Sequence, residues 1–331
     1  MKLIVTVGLI AAIVRHVEWA GFARYVGDYP VWLIAAVVGL WAAMMLPSVE
    51  KWRALLAVHG LRYPFGRLLR WYFIGSFYNQ VLPTMVGGDA YRVLKTLDNG
   101  RHRACAVLPV FIERVTGLSS LVAMGAAAAA WDWAETGHAV SGVSAVAGAG
   151  FVAAVAVGGA VWARGWLGGL AARRWCPGPV RSLVRYGDDL RRRPGVLLYT
   201  VGLSVAFHLM RVLIFWLLLW GIGADVGFGR VTVVAAATMV IGMLPISLGG
   251  WGLVDGAFLV LMEAYGVPAE AGLTAALMSR VTVVWVALAG GLMALFERRG
   301  SGLADEEGAA AVAERPPEHL GVDASIDRAS G

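Results

Sequence analysis

Apolar positions run in long blocks along the chain, at residues 3–14, 31–46, 68–82, 105–131, 139–163, 196–221, 231–244, 253–265 and 271–296. A helical membrane crossing needs about 20 largely apolar residues. Five of the blocks are long enough to cross. Block 3–14 is short, and no small-x-small cleavage site follows it. It therefore reads as a short signal-anchor helix rather than a signal peptide.

Basic residues between the blocks set the orientation. Lys51, Arg53, Arg62, Arg67 and Arg70 lie in or beside one loop, and Arg92, Lys95, Arg101 and Arg103 in the next. Eight arginines lie between Arg164 and Arg193, and Arg298 and Arg299 follow the last block. The segments 132–138 and 251–270 contain no Lys or Arg. Cytoplasmic loops carry the excess of Lys and Arg, so both termini are expected inside. Stretch 68–97 then enters and leaves from the cytoplasm, and stretch 231–265 from outside. The expected fold is an all-α polytopic membrane protein with about six full spans and two re-entrant helical hairpins. If each hairpin arm crossed fully, four basic residues would lie outside.

Composition agrees. Hydrophobic residues make up 59%, charged residues 15%, and mean hydropathy is +0.69. A soluble domain has about 45–50% apolar and about 25% charged residues, so an ordinary soluble enzyme is excluded. Cys105 and Cys176 are too few and too far apart for a disulfide framework or Cys-rich metal site. The net charge of +6 follows from the basic loops and does not call for nucleic acid. Residues 1–299 form the expected membrane domain. Residues 164–194 are either a basic cytoplasmic loop or a helix on the inner leaflet. Residues 300–331 are expected to be a disordered cytoplasmic tail.

The two hairpins share a signature. Leu82-Pro83 precedes Gly87-Gly88, and Leu244-Pro245 precedes Gly249-Gly250, with three residues between in each case. A carboxylate follows each, Asp89 and Asp255. Arg114-Val115-Thr116 and Arg280-Val281-Thr282 then lie in the next long blocks. Four matching features in one order indicate an internal duplication, with signatures near 77–117 and 240–283. Opposite entry sides make it an inverted repeat, and broken helices of such repeats meet at a substrate site near the midplane. Proline removes a backbone donor, and Gly-Gly allows a tight turn and close approach.

Glu113, Arg114, Arg211 and Arg280 lie inside apolar blocks, and His208 shares a face with Arg211. Intramembrane charges face a bundle interior and have partners. Arg114 and Arg280 are placed to fork onto a lipid phosphate, with Asp89 and Asp255 as their nearest partners. Asn79, Gln80 and Ser247 offer neutral hydrogen bonds. Asp89, Glu113 and Asp255 either orient the arginines or receive a cationic headgroup. Gly87, Gly88, Gly249 and Gly250 shape the breaks. The plainer readings are static ion pairs, an N-cap role for Asp89 and a satisfied core role for His208. Arg92 and Lys95 read as interfacial snorkelling residues, with phosphate capture by Arg92 as the alternative. The 14 tryptophans read as interface anchors or packing. No Walker A, metal-ligand or Gly-x-Ser-x-Gly motif occurs.

The run Phe77-Tyr78-Asn79-Gln80-Val81-Leu82-Pro83, with Gly87-Gly88-Asp89, Arg92, Glu113-Arg114 and Gly117, resembles the flippase-like membrane domain of lysylphosphatidylglycerol synthases. So do Leu244-Pro245-Ile246-Ser247, Gly249-Gly250 and Gly252. The resemblance covers about residues 3–296. It implies lipid translocation in the bacterial cytoplasmic membrane by a stand-alone member without the soluble aminoacyl-transferase domain. Asp255 stands where the family is expected to carry glutamate. The implied partners are membrane lipids (phosphatidylglycerol-type, aminoacylated, hopanoid or polyprenyl-linked) and a separate lipid-modifying enzyme. No cofactor or metal is implied, and no enzyme activity. The alternatives are a membrane-embedded lipid-phosphate transferase or hydrolase, using Asp89, Glu113, Asp255 and His208, and a scaffold for a lipid-modifying enzyme.

Overall fold

The computed structural model describes residues 2–82, 87–97, 103–163, 177–243, 247 and 250–313. Thirteen helices and no strand occur among them. They are α1 Lys2–His16, α2 Trp19–Gly27, α3 Val31–Ala43, α4 Met45–Val58, α5 Phe65–Val81, α6 Gly87–Leu97, α7 Arg103–Thr136, α8 Ala139–Ala163, α9 Gly178–Arg191, α10 Pro194–Trp220, α11 Phe228–Gly242, α12 Leu253–Ala264 and α13 Ala269–Ala313. Two compact units result, Met1–Gly291 and Leu292–Gly331.

Four stretches are long and apolar enough to span a bilayer: Val31–Val58, Cys105–Thr136, Pro194–Trp220 and Ala269–Glu297. The chain is a multi-pass helical membrane protein. The N-terminal block departs from a single short span. Thr6–His16 and Trp19–Gly27 are long and apolar enough to span only when taken together, and they are bent by 87°. The bend falls at Val17-Glu18, where Glu18 is extended (ψ 108) and its N–H donates to Glu270 Oε1. α8 carries a shorter apolar stretch, Ala139–Val155.

The core has a structural reason in each seam. α10 packs against α3, α4 and α7, burying Val212, Ile214, Leu218 and Leu219 with Leu33, Val37 and Trp41. α7 packs on α8 and α11 through small residues, because Gly125 faces Ala236 and Gly148 faces Ala126. Small side chains let helices approach closely where lipid gives no hydrophobic drive.

Two helical hairpins, α5–α6 and α11–α12, lie within this bundle. At about 1.5 Å per residue, arms of 11 to 17 residues rise roughly 17 to 26 Å, against a hydrocarbon core of about 30 Å. The first hairpin crosses at glycine on both arms. A Cβ on Gly88 would collide with the Gly75 carbonyl oxygen, so any side chain there would push the arms apart. Asn79 Oδ1 accepts from the Gly88 N–H at 2.7 Å and ties the returning arm to the entering one. In the second hairpin Gly250 (φ 78) and Gly252 (φ 75) adopt the left-handed conformation that glycine favours. The two Leu-Pro breaks themselves, at 83–86 and 244–246, lie outside the described residues.

α9 is the helix in the basic segment. It docks on α7 and α10, with Tyr186 and Leu190 buried against Leu55. The Tyr186 hydroxyl donates to the Leu55 carbonyl at 3.0 Å, and burial raises its pKa above the usual tyrosine range. α13 continues to Ala313, through the first part of the segment expected to be a disordered tail. Its run of alanines favours helix.

Candidate functional site

A cavity of about 420 Å³ opens among α3, α4, α5, α6, α7, α10, α11, α12 and α13. It collects most of the polar residues singled out in the sequence. Asn79, Gln80, Gly88, Asp89, Arg92, Glu113, Arg114, His208, Arg211, Asp255 and Arg280 line it, over more than 200 residues of chain. Gly87, Ser247 and Gly250 do not line it, and Gly249 lies outside the described residues. Gly250 acts through its carbonyl, which accepts from Arg280 Nη2 at 3.3 Å. Ser247 is buried, and its hydroxyl has no partner among the described residues.

The two hairpins place their carboxylates alike. Asp89 is the third residue of α6, and Asp255 is the third residue of α12. Both therefore sit in a first turn, where unpaired N–H groups and the helix dipole favour negative charge. Asp255 Oδ2 accepts from the Gly252 N–H at 3.0 Å. Asp89 is thus inside the helix rather than an N-cap.

Each carboxylate holds the arginine 25 residues later. Arg280 forks onto Asp255 through Nε and Nη2, both at 2.7 Å. Arg114 reaches Asp89 Oδ2 through Nε at 2.9 Å and Nη2 at 2.7 Å. The first hairpin adds a second layer. Arg92 Nη2 donates to Asp89 Oδ1 at 2.6 Å, and its Nη1 to Glu113 Oε2 at 2.8 Å. Tyr72 completes the chain, donating to Glu113 Oε1 at 2.9 Å. Arg92 is only 4% exposed and stacks on Tyr72 and Trp52. This corrects the snorkelling assignment, because Arg92 is a buried bridge between two carboxylates. Lys95 lies against the Tyr91 ring.

Lys51, assigned to a cytoplasmic loop by its neighbours, is 5% exposed and lines the cavity. Its Nζ donates to Ser204 Oγ at 3.0 Å and to the Glu113 carbonyl at 3.4 Å. Sequence reasoning missed it because α4 continues the span begun by α3 down to Val58. The available signal was helical spacing: Ser48, Lys51, Trp52 and Leu55 share one buried face. Tyr72 was missed likewise. Two tryptophans pack against arginines of the site. Trp251 lies 4.1 Å under Arg280, and Trp41 lies 5.3 Å from Arg211.

His208 Nε2 lies 2.9 Å from the Gly117 carbonyl oxygen, so that nitrogen carries the proton. Its Nδ1 is buried without a partner. Arg211 has no carboxylate within salt-bridge distance among the described residues, and its Nε is buried without a hydrogen-bond partner. A central arginine costs about 2.5–3.5 kcal/mol to insert. No cluster of metal-ligating side chains occurs among the described residues.

The family model described as the lysylphosphatidylglycerol synthase TM region matches residues 1–291. The chain belongs to that family. Residues 1–291 coincide with the first compact unit, so the family's membrane region contains the entire cavity. Its members' membrane and lipid context fits a helical bundle with charges turned inward. No curated protein and no solved structure matches the chain.

Proposed function

We propose that this member of the lysylphosphatidylglycerol synthase membrane-region family moves a lipid between leaflets of the bacterial cytoplasmic membrane. The headgroup passes through the charged cavity while the hydrocarbon chain stays in the bilayer. One observation carries the reading: a cavity of about 420 Å³ lies between the two hairpins and is lined by arginines from both repeats. Arginine forks match phosphate oxygens, and the α6 and α12 N-terminal turns add positive partial charge.

The hairpins are re-entrant in this reading and related as an inverted repeat, with both termini cytoplasmic. Rocking one repeat against the other exposes the headgroup to alternate sides. The Asp–Arg pairs position the arginines and hold each hairpin to the following long helix. The ligands are membrane lipids, and a separate enzyme supplies the modified headgroup where one is carried.

The test is lipid movement in liposomes containing the purified full chain. Labelled phosphatidylglycerol, lysylphosphatidylglycerol and a polyprenyl phosphate are offered, with Arg114→Ala as control. Movement of at least one lipid, lost in the variant, is expected. A folded protein that moves none of them overturns the transport reading. Product formation by that protein, lost in Asp89→Asn, assigns it to lipid-phosphate chemistry instead.

A further inference from the structure

The cavity's charges do not cancel, and the remainder has one sign. Asp89, Glu113, Arg92 and Arg114 form a neutral chain of two carboxylates and two guanidiniums. Asp255 and Arg280 form a neutral pair. Lys51 and Arg211 remain. Lys51 donates to a hydroxyl and a backbone carbonyl, both uncharged. Among the described residues Arg211 has no carboxylate partner, and its buried Nε is unpartnered. With His208 counted neutral, the cavity holds two uncompensated positive charges among the described residues.

The carboxylates point the same way. Each one lining the cavity already accepts from a guanidinium: Asp89 from two, Glu113 from Arg92, Asp255 from Arg280. None is without a cationic partner to offer an ammonium group. We infer that the headgroup is a phosphate monoester or diphosphate carrying about two negative charges and no cation, so that an aminoacylated headgroup is the poorer ligand. This rests on the transport reading above for the place of the site, and it departs from the lipid in the family's name. Lone buried charges are costly unless paired, and a dianionic headgroup is the partner that completes both.

The test is competition for the detergent-solubilised full chain, using fluorescent phosphatidic acid as the probe. Unlabelled phosphatidic acid, phosphatidylglycerol, lysylphosphatidylglycerol, inorganic phosphate and pyrophosphate are the competitors. Phosphatidic acid is expected to displace the probe at a concentration about tenfold below phosphatidylglycerol, with lysylphosphatidylglycerol weakest. Arg211→Gln is expected to shrink the phosphatidic acid preference to about threefold or less, and Arg211→Lys to keep it. Should Arg211→Gln not fold, the ranking by the unaltered chain decides. Lysylphosphatidylglycerol competing as well as phosphatidic acid overturns the proposal. Inorganic phosphate or pyrophosphate competing as well as phosphatidic acid assigns the site to a free anion and overturns it too. The ranking is read from binding, so it can hold when liposome movement fails, or fail when movement is present.

Discussion

Asp255 and Arg280 stand 25 residues apart and are joined by two hydrogen bonds of 2.7 Å, one to each carboxylate oxygen. The same separation joins Asp89 to Arg114. The second pair has no added layer. Three residues after Asp255 stands Phe258, where Arg92 follows Asp89, and Ser279 precedes Arg280, where Glu113 precedes Arg114. Arg280 therefore depends on one carboxylate. Removing one partner of a buried pair costs about 3–5 kcal/mol. Asp255→Asn is expected to lower the melting temperature in detergent by more than Asp89→Asn, since Arg92 keeps Glu113 when Asp89 is neutralised and the Arg114 left behind is half exposed to solvent, whereas Arg280 is largely buried. Equal losses in both variants overturn that ordering.

The glycine crossing of the first hairpin makes a steric prediction. Gly88 touches Gly75, and Gly290 touches the Phe73 carbonyl oxygen, both too closely for a Cβ. Overpacking costs about 1–3 kcal/mol or more. Gly88→Ala and Gly290→Ala are expected to reduce folded yield and thermal stability. Gly39→Ala and Gly202→Ala, whose added Cβ meets open space, are expected to be neutral or to stabilise by about 0.5–1 kcal/mol. Size-exclusion yield and thermal melts of the four variants separate the cases.

The sequence made the helical class, the two hairpins and the Asp–Arg pairs readable, because each rests on a local pattern. Apolar blocks mark spans, and repeated Leu-Pro and Gly-Gly mark breaks. The partners of Arg92 and Lys51 were not readable. Glu113 and Ser204 lie 21 and 153 residues away, and only the packing of α4, α6, α7 and α10 brings them in. A basic residue near a span end looks the same whether it faces water or a cavity. The 87° bend in the N-terminal pair was hidden for a similar reason, since Glu18 is held by Glu270 from the far end of the chain.

The proposed orientation is open to labelling. Leu94 on α6 and Glu135 at the end of α7 are both exposed. With Cys105 and Cys176 replaced by serine, Leu94→Cys is expected to react with an impermeant maleimide only in inside-out vesicles. Glu135→Cys is expected to react in intact spheroplasts. Reaction of position 94 from outside removes the re-entrant reading of the first hairpin.

Arg92 allows the last prediction to separate charge from geometry. Its two Nη atoms hold two different carboxylates at 2.6 and 2.8 Å while its plane packs on Tyr72 and Trp52. Lysine keeps the charge but is a point donor without the planar fork. Arg92→Lys is therefore expected to release one of Asp89 and Glu113 and lower stability by about 1.5–3 kcal/mol, the worth of a hydrogen bond to a charged group. The double variant Arg92→Met with Glu113→Gln removes one charge of each sign together. It is expected to be more stable than Arg92→Met alone, because that single change leaves Glu113 without its charged partner. Additive losses across this cycle indicate that Glu113 is held by Tyr72 and solvent rather than by Arg92, and the bridge then contributes nothing to the first hairpin.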